Sequence, residues 1–279
     1  MVIALSLEDM LRKGREHYRS NIAAVDAEVP NGFPKNAFGV IRGPGGGGKS
    51  ALLNEMAIRM MESGKKVVFV CLEDTPVAIL QNLSSLGWDY ENLLNEETIH
   101  LIDCFSSHIL RRMTKYGLTT VVRNPSDPDE ISDALHEVVR DEEQNKIGGI
   151  YMDSITELFF QSHPFKAVNA LKAWRATFCK DQVIPCWATY HTGLQQFATY
   201  DDMLTYSSDI IIDTRHEPVF QDAGLLLKQF RVTKVKGAPH NPMWVTFEVG
   251  SDGLRSLSLD EIRELAKGIT RFDAGSSSQ

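Results

Sequence analysis

The stretch FGVIRGPGGGGKSALLNEMA, residues 38–57, decides the fold. It opens on an apolar run, Phe38 to Ile41, and passes through a glycine-rich turn. It then continues with Leu52, Leu53, Met56 and Ala57 at helical spacing. Residues 43–50 fit the pattern G-x-x-x-x-G-K-[ST]. Glycines let successive backbone N–H groups turn inward around a phosphate, in dihedrals closed to residues with a Cβ. A helix beginning at Ser50 adds the positive end of its dipole. Lys49 has the reach for β- and γ-phosphates, and the Ser50 hydroxyl suits Mg²⁺. A flexible glycine hinge would need no Lys-Ser pair at the start of a helix. The stretch therefore reads as a site for ATP with magnesium. Its contact set is Gly43, Gly45, Gly46, Gly47, Gly48, Lys49, Ser50 and Ala51.

Working outward, the helix from Ser50 runs to about Ser63, and Gly64 ends it. The next segment, VVFVCL (67–72), is almost wholly apolar, as a parallel strand covered on both faces must be. The pattern goes on with helices at 76–86, 129–143 and 164–180. Strands are expected at 99–102, 148–153, 183–190, 209–213, 225–235 and 243–249. Strands alternating with helices predict a three-layer α/β sandwich on a mostly parallel sheet. The last two strands are separated only by a turn at GAPHNP, so antiparallel strands are expected toward the C-terminus. Residues 7–20 read as an amphipathic helix capped by Ser6. The domain expectation is an N-terminal helical extension over 1–30, an ATPase domain over 31–270 and a disordered tail over 271–279.

Two strand ends carry acids. Val67 to Leu72 leads into Glu73-Asp74-Thr75-Pro76, and Ile150 to Met152 leads into Asp153-Ser154. Ligands of open parallel sheets sit beyond the carboxyl ends of the strands, so both groups would face the phosphate loop. Asp153 is placed to hold magnesium together with Ser50, and Glu73 to orient or deprotonate an attacking water, with Asp74 assisting.

The 279 residues carry 29 Lys and Arg against 37 Asp and Glu, a formal net charge of −8. That balance argues against a general affinity for nucleic acid or an anionic membrane. Cys71, Cys104, Cys179 and Cys186 have no metal-ligand spacing and read as buried, reduced thiols. The apolar start of the chain is too short for a signal-peptide core, and no stretch approaches a membrane span. A cytoplasmic protein without membrane insertion is expected.

Segments 31–52 and 67–93, with GGIYMDSITELF (148–159) and FRVTKVKGAPHNP (230–242), resemble the KaiC-like ATPases of the RecA superfamily. The resemblance covers residues 31 to about 250, as a single ATPase domain. It implies a RecA-like fold, slow hydrolysis of ATP and a ring, usually a hexamer, with nucleotide between subunits. It implies that Glu73 and Asp74 stand for the family's paired catalytic glutamates, beside Lys49, whose catalytic role is read from the phosphate-loop pattern. It also implies that Lys234, Lys236 and His240 act in trans on a neighbour's nucleotide. Lys236 replaces a common Arg, so its contact would be a point charge instead of a planar fork. RecA-type folds place a polar group that senses the γ-phosphate after the strand corresponding to 183–190, so the resemblance implies that role for His191 or Thr192. The partner protein is not named by the sequence. Two other readings stay open. One is a nucleotide switch that hardly hydrolyses, resembling archaeal flagellar accessory ATPases, and the other is a DNA-dependent recombinase or helicase relative.

Overall fold

A computed structural model of the chain describes residues 16–87, 97–108, 119–141, 146–221, 226–265 and 267. The chain begins with a short strand β1 (His17–Tyr18), helix α1 (Ala23–Glu28) and strand β2 (Phe33–Pro34), β1 and β2 pairing antiparallel. There follow β3 (Phe38–Gly43), α2 (Lys49–Glu62), β4 (Lys66–Cys71), α3 (Pro76–Ser85), β5 (Ile99–Asp103) and β6 (Thr119–Val121). Next come α4 (Pro128–Asp141), β7 (Ile147–Asp153), α5 (Thr156–Gln161), α6 (Pro164–Trp174) and β8 (Cys186–His191). The described chain continues through α7 (Ala198–Ser207), β9 (Ile210–His216), α8 (Pro218–Gln221), β10 (Lys228–Val235), β11 (Val245–Gly250) and β12 (Gly253–Ser256).

The main sheet has ten strands in the order β12-β11-β10-β9-β3-β8-β7-β4-β5-β6. Neighbours from β9 through β6 are parallel, and β9 to β12 pair antiparallel. Consecutive residues of a strand face opposite sides, and β4 uses both sides for burial. Val67, Phe69 and Cys71 enter one core with α1, α2 and α3, while Val68 and Val70 enter the other with α4, α5 and α6. This is the mostly parallel, RecA-like α/β architecture with an antiparallel C-terminal side. Removing one of its wholly buried rings, such as Phe69, should cost about 3–5 kcal/mol.

Several element expectations need correction. The helix read over 7–20 lies mostly outside the described residues, and where it is described, at His17–Tyr18, the chain is a strand. Tyr18 is drawn into extended backbone because its hydroxyl accepts a 2.6 Å hydrogen bond from Trp187 Nε1 in the core. Ile22, Val25 and Val29 are buried in the core that α2 shares, so residues 22–29 pack as part of the sandwich. The strand read from 183 starts only at Cys186, since Val183 has a positive φ of 59° and Pro185 has no N–H for a ladder. Helices α5 and α7 and strands β6 and β12 are additions to the sequence reading. The tail over 271–279 lies outside the described residues.

Register sets the level of the strand ends. Gly43 stands opposite His191, and Cys71 stands opposite Asp153. The chain ends of β3, β8, β4 and β7 therefore meet at one edge of the sheet.

Candidate nucleotide site

At that edge, β3 turns into the glycine loop. Gly46 and Gly48 have φ of 72° and 92°, the left-handed region that favours glycine. A Cβ on Gly48 would lie 2.7 Å from Phe247 Cζ, and one on Gly43 would lie 2.2 Å from Thr214 Oγ1. The loop is thus pressed against β9 and β11 from behind. It ends at α2, whose N-terminus has no side-chain cap. Its first-turn N–H groups are the kind of unsatisfied donors that bind phosphate.

Lys49, 4% exposed, folds back over the loop and donates to the Pro44 carbonyl at 2.7 Å. Burial lowers its pKa, with the charges of Glu73 and Asp153 opposing that shift. Ser50 Oγ donates to Asp153 Oδ1 at 3.2 Å. Asp153 also accepts a short hydrogen bond from Thr189 Oγ1 on β8. Its peptide to Ser154 is cis. Burial raises the Asp153 pKa in spite of those two hydrogen bonds.

Glu73 leaves β4 with its backbone N–H donating to the Asp153 carbonyl at 3.1 Å. Its Oε2 lies 3.2 Å from His191 Nε2. That hydrogen bond is the main reason its pKa is lowered, so Glu73 is held as a carboxylate, the form a base requires. Asp74 does something else. Its Oδ1 accepts from the Thr75 N–H at 2.7 Å, and Thr75 Oγ1 caps α3 by accepting from Ala78 at 3.2 Å. Asp74 therefore shapes the turn that carries Glu73.

Glu73 and His191 were both candidates from sequence, and the fold joins them with Lys49, Ser50 and Asp153. Thr192 is placed through its main chain, its N–H donating to the Gly43 carbonyl at 3.1 Å. Lys234, Lys236 and His240 are not brought to this loop. β10 runs antiparallel to β9, with Lys228 opposite His216 and Val235 opposite Ile210, so Lys234 sits roughly 20 Å down the sheet at 3.3 Å per residue. There Lys234 donates to the carbonyls of Thr205 and Tyr206, and Lys236 lies 3.8 Å from Asp209. His240 is partly exposed in the following turn.

Sequence reasoning missed Thr189, Thr214, His216 and Lys228. Thr189 is a hydroxyl within the buried run Cys186–Tyr190 of β8, which is a usable signal. His216 Nε2 lies 3.3 Å from the Gly45 carbonyl, and the Lys228 stem flanks Gly48. Only the antiparallel pairing of β9 with β10 brings these two together, and local pattern does not encode it. Trp174 and Trp187 are core, and Trp244 is stacked by Arg215 at 3.8 Å and Arg231 at 4.5 Å.

The donor set fits magnesium. A hydroxyl and a carboxylate, both hard oxygen ligands, converge at the foot of the loop. Among the described residues no group of three or more His, Cys, Asp or Glu forms a metal cage. Mg²⁺ is commonly bound in this sparse way, completing its shell with water and phosphate oxygens.

Comparisons with known proteins identify the family and the fold. The family model described as "ATPase: KaiC" matches residues 18–261. A UPF0273 protein of Methanopyrus kandleri is 25% identical over 245 residues, covering 86% of this chain and 91% of that one. A UPF0273 protein of Methanocaldococcus jannaschii is 28% identical over 244 residues, covering 85% and 94%. The crystal structure of a KaiC-like protein from the hyperthermophilic archaeon Pyrococcus horikoshii superposes with a TM-score of 0.66 at 17% identity, over 87% of this chain and 99% of that one. That likeness establishes a common fold. With the family match spanning most of its length, the chain belongs to the KaiC ATPase family.

Proposed function

We propose that this protein binds ATP with magnesium and hydrolyses it slowly to ADP and phosphate, as a regulatory or assembly ATPase within a homo-oligomeric ring. The observation that carries the reading is the convergence of Lys49, Ser50, Glu73 and Asp153 at one sheet edge, from segments far apart in sequence.

Under this reading the loop amides and Lys49 hold the β- and γ-phosphates. Ser50 and Asp153 would hold Mg²⁺, which when bound would supply charge neutralisation at the phosphate oxygens. Glu73, kept anionic by His191, takes a proton from the attacking water. The new P–O bond forms as the bond to the ADP oxygen breaks. Asp74 supports the turn beneath Glu73.

Lys234 and Lys236 lie at the far end of β10 from their own loop, which supports a role toward a neighbour's nucleotide, with His240 beside them. Contacts between subunits of this kind require an oligomer, and a ring of six copies is the reading carried over from the family resemblance. The protein partner is unspecified, and the net charge of −8 weighs against nucleic acid. Among the described residues no helix is long and apolar enough to cross a membrane. The four cysteines are buried and unpaired, which suits a reducing compartment, and we place the protein in the cytoplasm.

The test is phosphate release from ATP with Mg²⁺ and with a chelator, together with mass in solution with and without nucleotide. Magnesium-dependent release by an oligomer is expected. A monomer under all conditions would remove the trans role of Lys234 and Lys236, and magnesium-independent release would remove the role of Ser50 and Asp153.

A further inference from the structure

His191 meets the site through both ring nitrogens. Its Nδ1 lies 3.3 Å from Lys49 Nζ, and its Nε2 lies 3.2 Å from Glu73 Oε2. The ring is carried by a fixed main chain, because the His191 N–H donates to Thr156 Oγ1 at 2.8 Å. Thr156 is itself buried and hydrogen-bonded to Ser154. The rotation left to the imidazole is therefore about its own side-chain bonds.

The partners fix the tautomer. A lysine ammonium has donors and no acceptor, so Nδ1 must be the acceptor toward Lys49. The one ring proton of a neutral imidazole is then on Nε2, where it donates to the Glu73 carboxylate. Lys49, His191 and Glu73 form a linear chain of charge-assisted hydrogen bonds in which the last donor is set by the first.

Each end of this chain has a separate task at the proposed site. Lys49 is the group that a γ-phosphate attracts most strongly, since among the described residues its ammonium is hydrogen-bonded to two uncharged acceptor atoms, a carbonyl oxygen and a ring nitrogen. Glu73 is the group that must be aimed at water. A single side chain links the two.

We propose that His191 is the positioning residue for Glu73, and that through Lys49 it ties the placement of that carboxylate to occupancy of the phosphate loop. This rests on the reading of the site as an ATPase. With the loop empty, Lys49 holds the ring by Nδ1. When phosphate oxygens draw the Lys49 ammonium away, Nδ1 is released while Nε2–H remains on Glu73, and the pair turns together toward the γ-phosphate. Glu73 reaches its working position only when a triphosphate is present, so ATP and ADP leave it in different places.

The experiment compares wild type, H191A and H191Q for kcat, KM and affinity for a fluorescent ATP analogue, each also in an E73Q background. Loss of orientation of a general base costs about 10²-fold in rate. H191A should therefore lower kcat about 10²-fold and leave nucleotide affinity within about threefold. A glutamine amide offers an acceptor oxygen toward Lys49 and a donor N–H toward Glu73, so H191Q should restore most of the rate. In the E73Q background H191A should change nothing further, because its effect passes through Glu73. The proposal is overturned if H191A retains wild-type kcat, if it weakens nucleotide binding as much as it lowers kcat, or if its effect multiplies in full with that of E73Q.

If wild type releases no phosphate, the ATPase reading fails, and the link is decided separately by nitrogen NMR of His191 in the intact protein. The free protein should show a neutral imidazole protonated on Nε2. A non-hydrolysable ATP analogue with Mg²⁺ should move the Nδ1 signal, and ADP should move it less. An unchanged Nδ1 signal, or a ring protonated on Nδ1, overturns the link.

Discussion

Ser50 Oγ stands 3.2 Å from Asp153 Oδ1, although 103 residues separate them in the chain. The pairing is made by the sheet: β7 lies between β8 and β4, and β3 lies on the other side of β8, so both residues emerge at the same level. Its energetic consequence is unfavourable for the empty protein. A carboxylate 7% exposed has lost most of its water, and two hydroxyl donors replace only part of it.

Replacing Asp153 by Asn should therefore stabilise the nucleotide-free protein at pH 8. The sign follows from a folded pKa raised by burial. The neutral form's advantage is complete below the unfolded value, about 3.9. It is lost as pH rises through the raised folded value, leaving the full cost of the buried anion above it. Thermal unfolding should place D153N above wild type at pH 8, at roughly 2–4 °C per kcal/mol for a domain of this size. The gap should close near pH 4, and added Mg-ATP should stabilise D153N far less than wild type. A variant less stable than wild type at pH 8 would refute this account of the pair.

The loop glycines should separate sharply by position. Gly48 has a φ of 92° and its Cβ would lie 2.7 Å from the Phe247 ring, whereas nothing lies within 4 Å of a Cβ at Gly45. In urea unfolding without nucleotide, Gly48→Ala should cost about 1–3 kcal/mol. Gly45→Ala should stay within about 0.5 kcal/mol of wild type. Equal effects would contradict the described loop conformation.

Much of this was legible from residues 38–57, 67–76 and 148–154, because each couples an apolar strand to polar residues at its carboxyl end. The apolar runs gave the parallel sheet, and the sheet gave the side on which Glu73 and Asp153 must lie. Asp74 shows the limit of that logic: an acid next to a catalytic candidate has the same local signature whether it faces the site or binds the next N–H. Thr214 and His216 were hidden for another reason. Their approach to Gly43 and Gly45 depends on how β9 lies against β3, and pattern within either strand is silent on that. His17 and Tyr18 fit a helical spacing, but the tertiary bond from Trp187 to Tyr18 overrides it.

Asp209 should anchor the end of the sheet opposite the loop. It is 2% exposed and accepts from Arg175 at 2.6 Å, from Lys180 at 2.9 Å and from the Phe38 N–H at 3.1 Å. Burial alone would raise its pKa, but those donors outweigh it and the net shift is downward. Its stabilisation is present above the unfolded value near 3.9 and lost as pH falls through the lower folded value. Asp209→Asn should cost roughly 2–3 kcal/mol at pH 7, less than a fully buried pair because Arg175 and Lys180 keep some water. The difference from wild type should shrink on titration below pH 4, and a constant difference would rule out the charge as its source.

Subunit mixing should reveal the trans contact. Protein with both Lys234 and Lys236 changed to Ala should bind nucleotide normally and turn over about 10²-fold more slowly. Mixing it with E73Q protein should recover part of the activity, since some interfaces then pair an intact Glu73 with intact lysines. No recovery in mixed oligomers would place the lysines outside the reaction.

The most direct measurement is phosphate release from saturating Mg-ATP by wild type and E73Q, alongside nucleotide affinity for both. Glu73 positioned as a general base predicts a loss of about 10²–10⁴-fold in turnover with affinity nearly unchanged. Turnover by E73Q equal to that of wild type, at equal affinity, would contradict it.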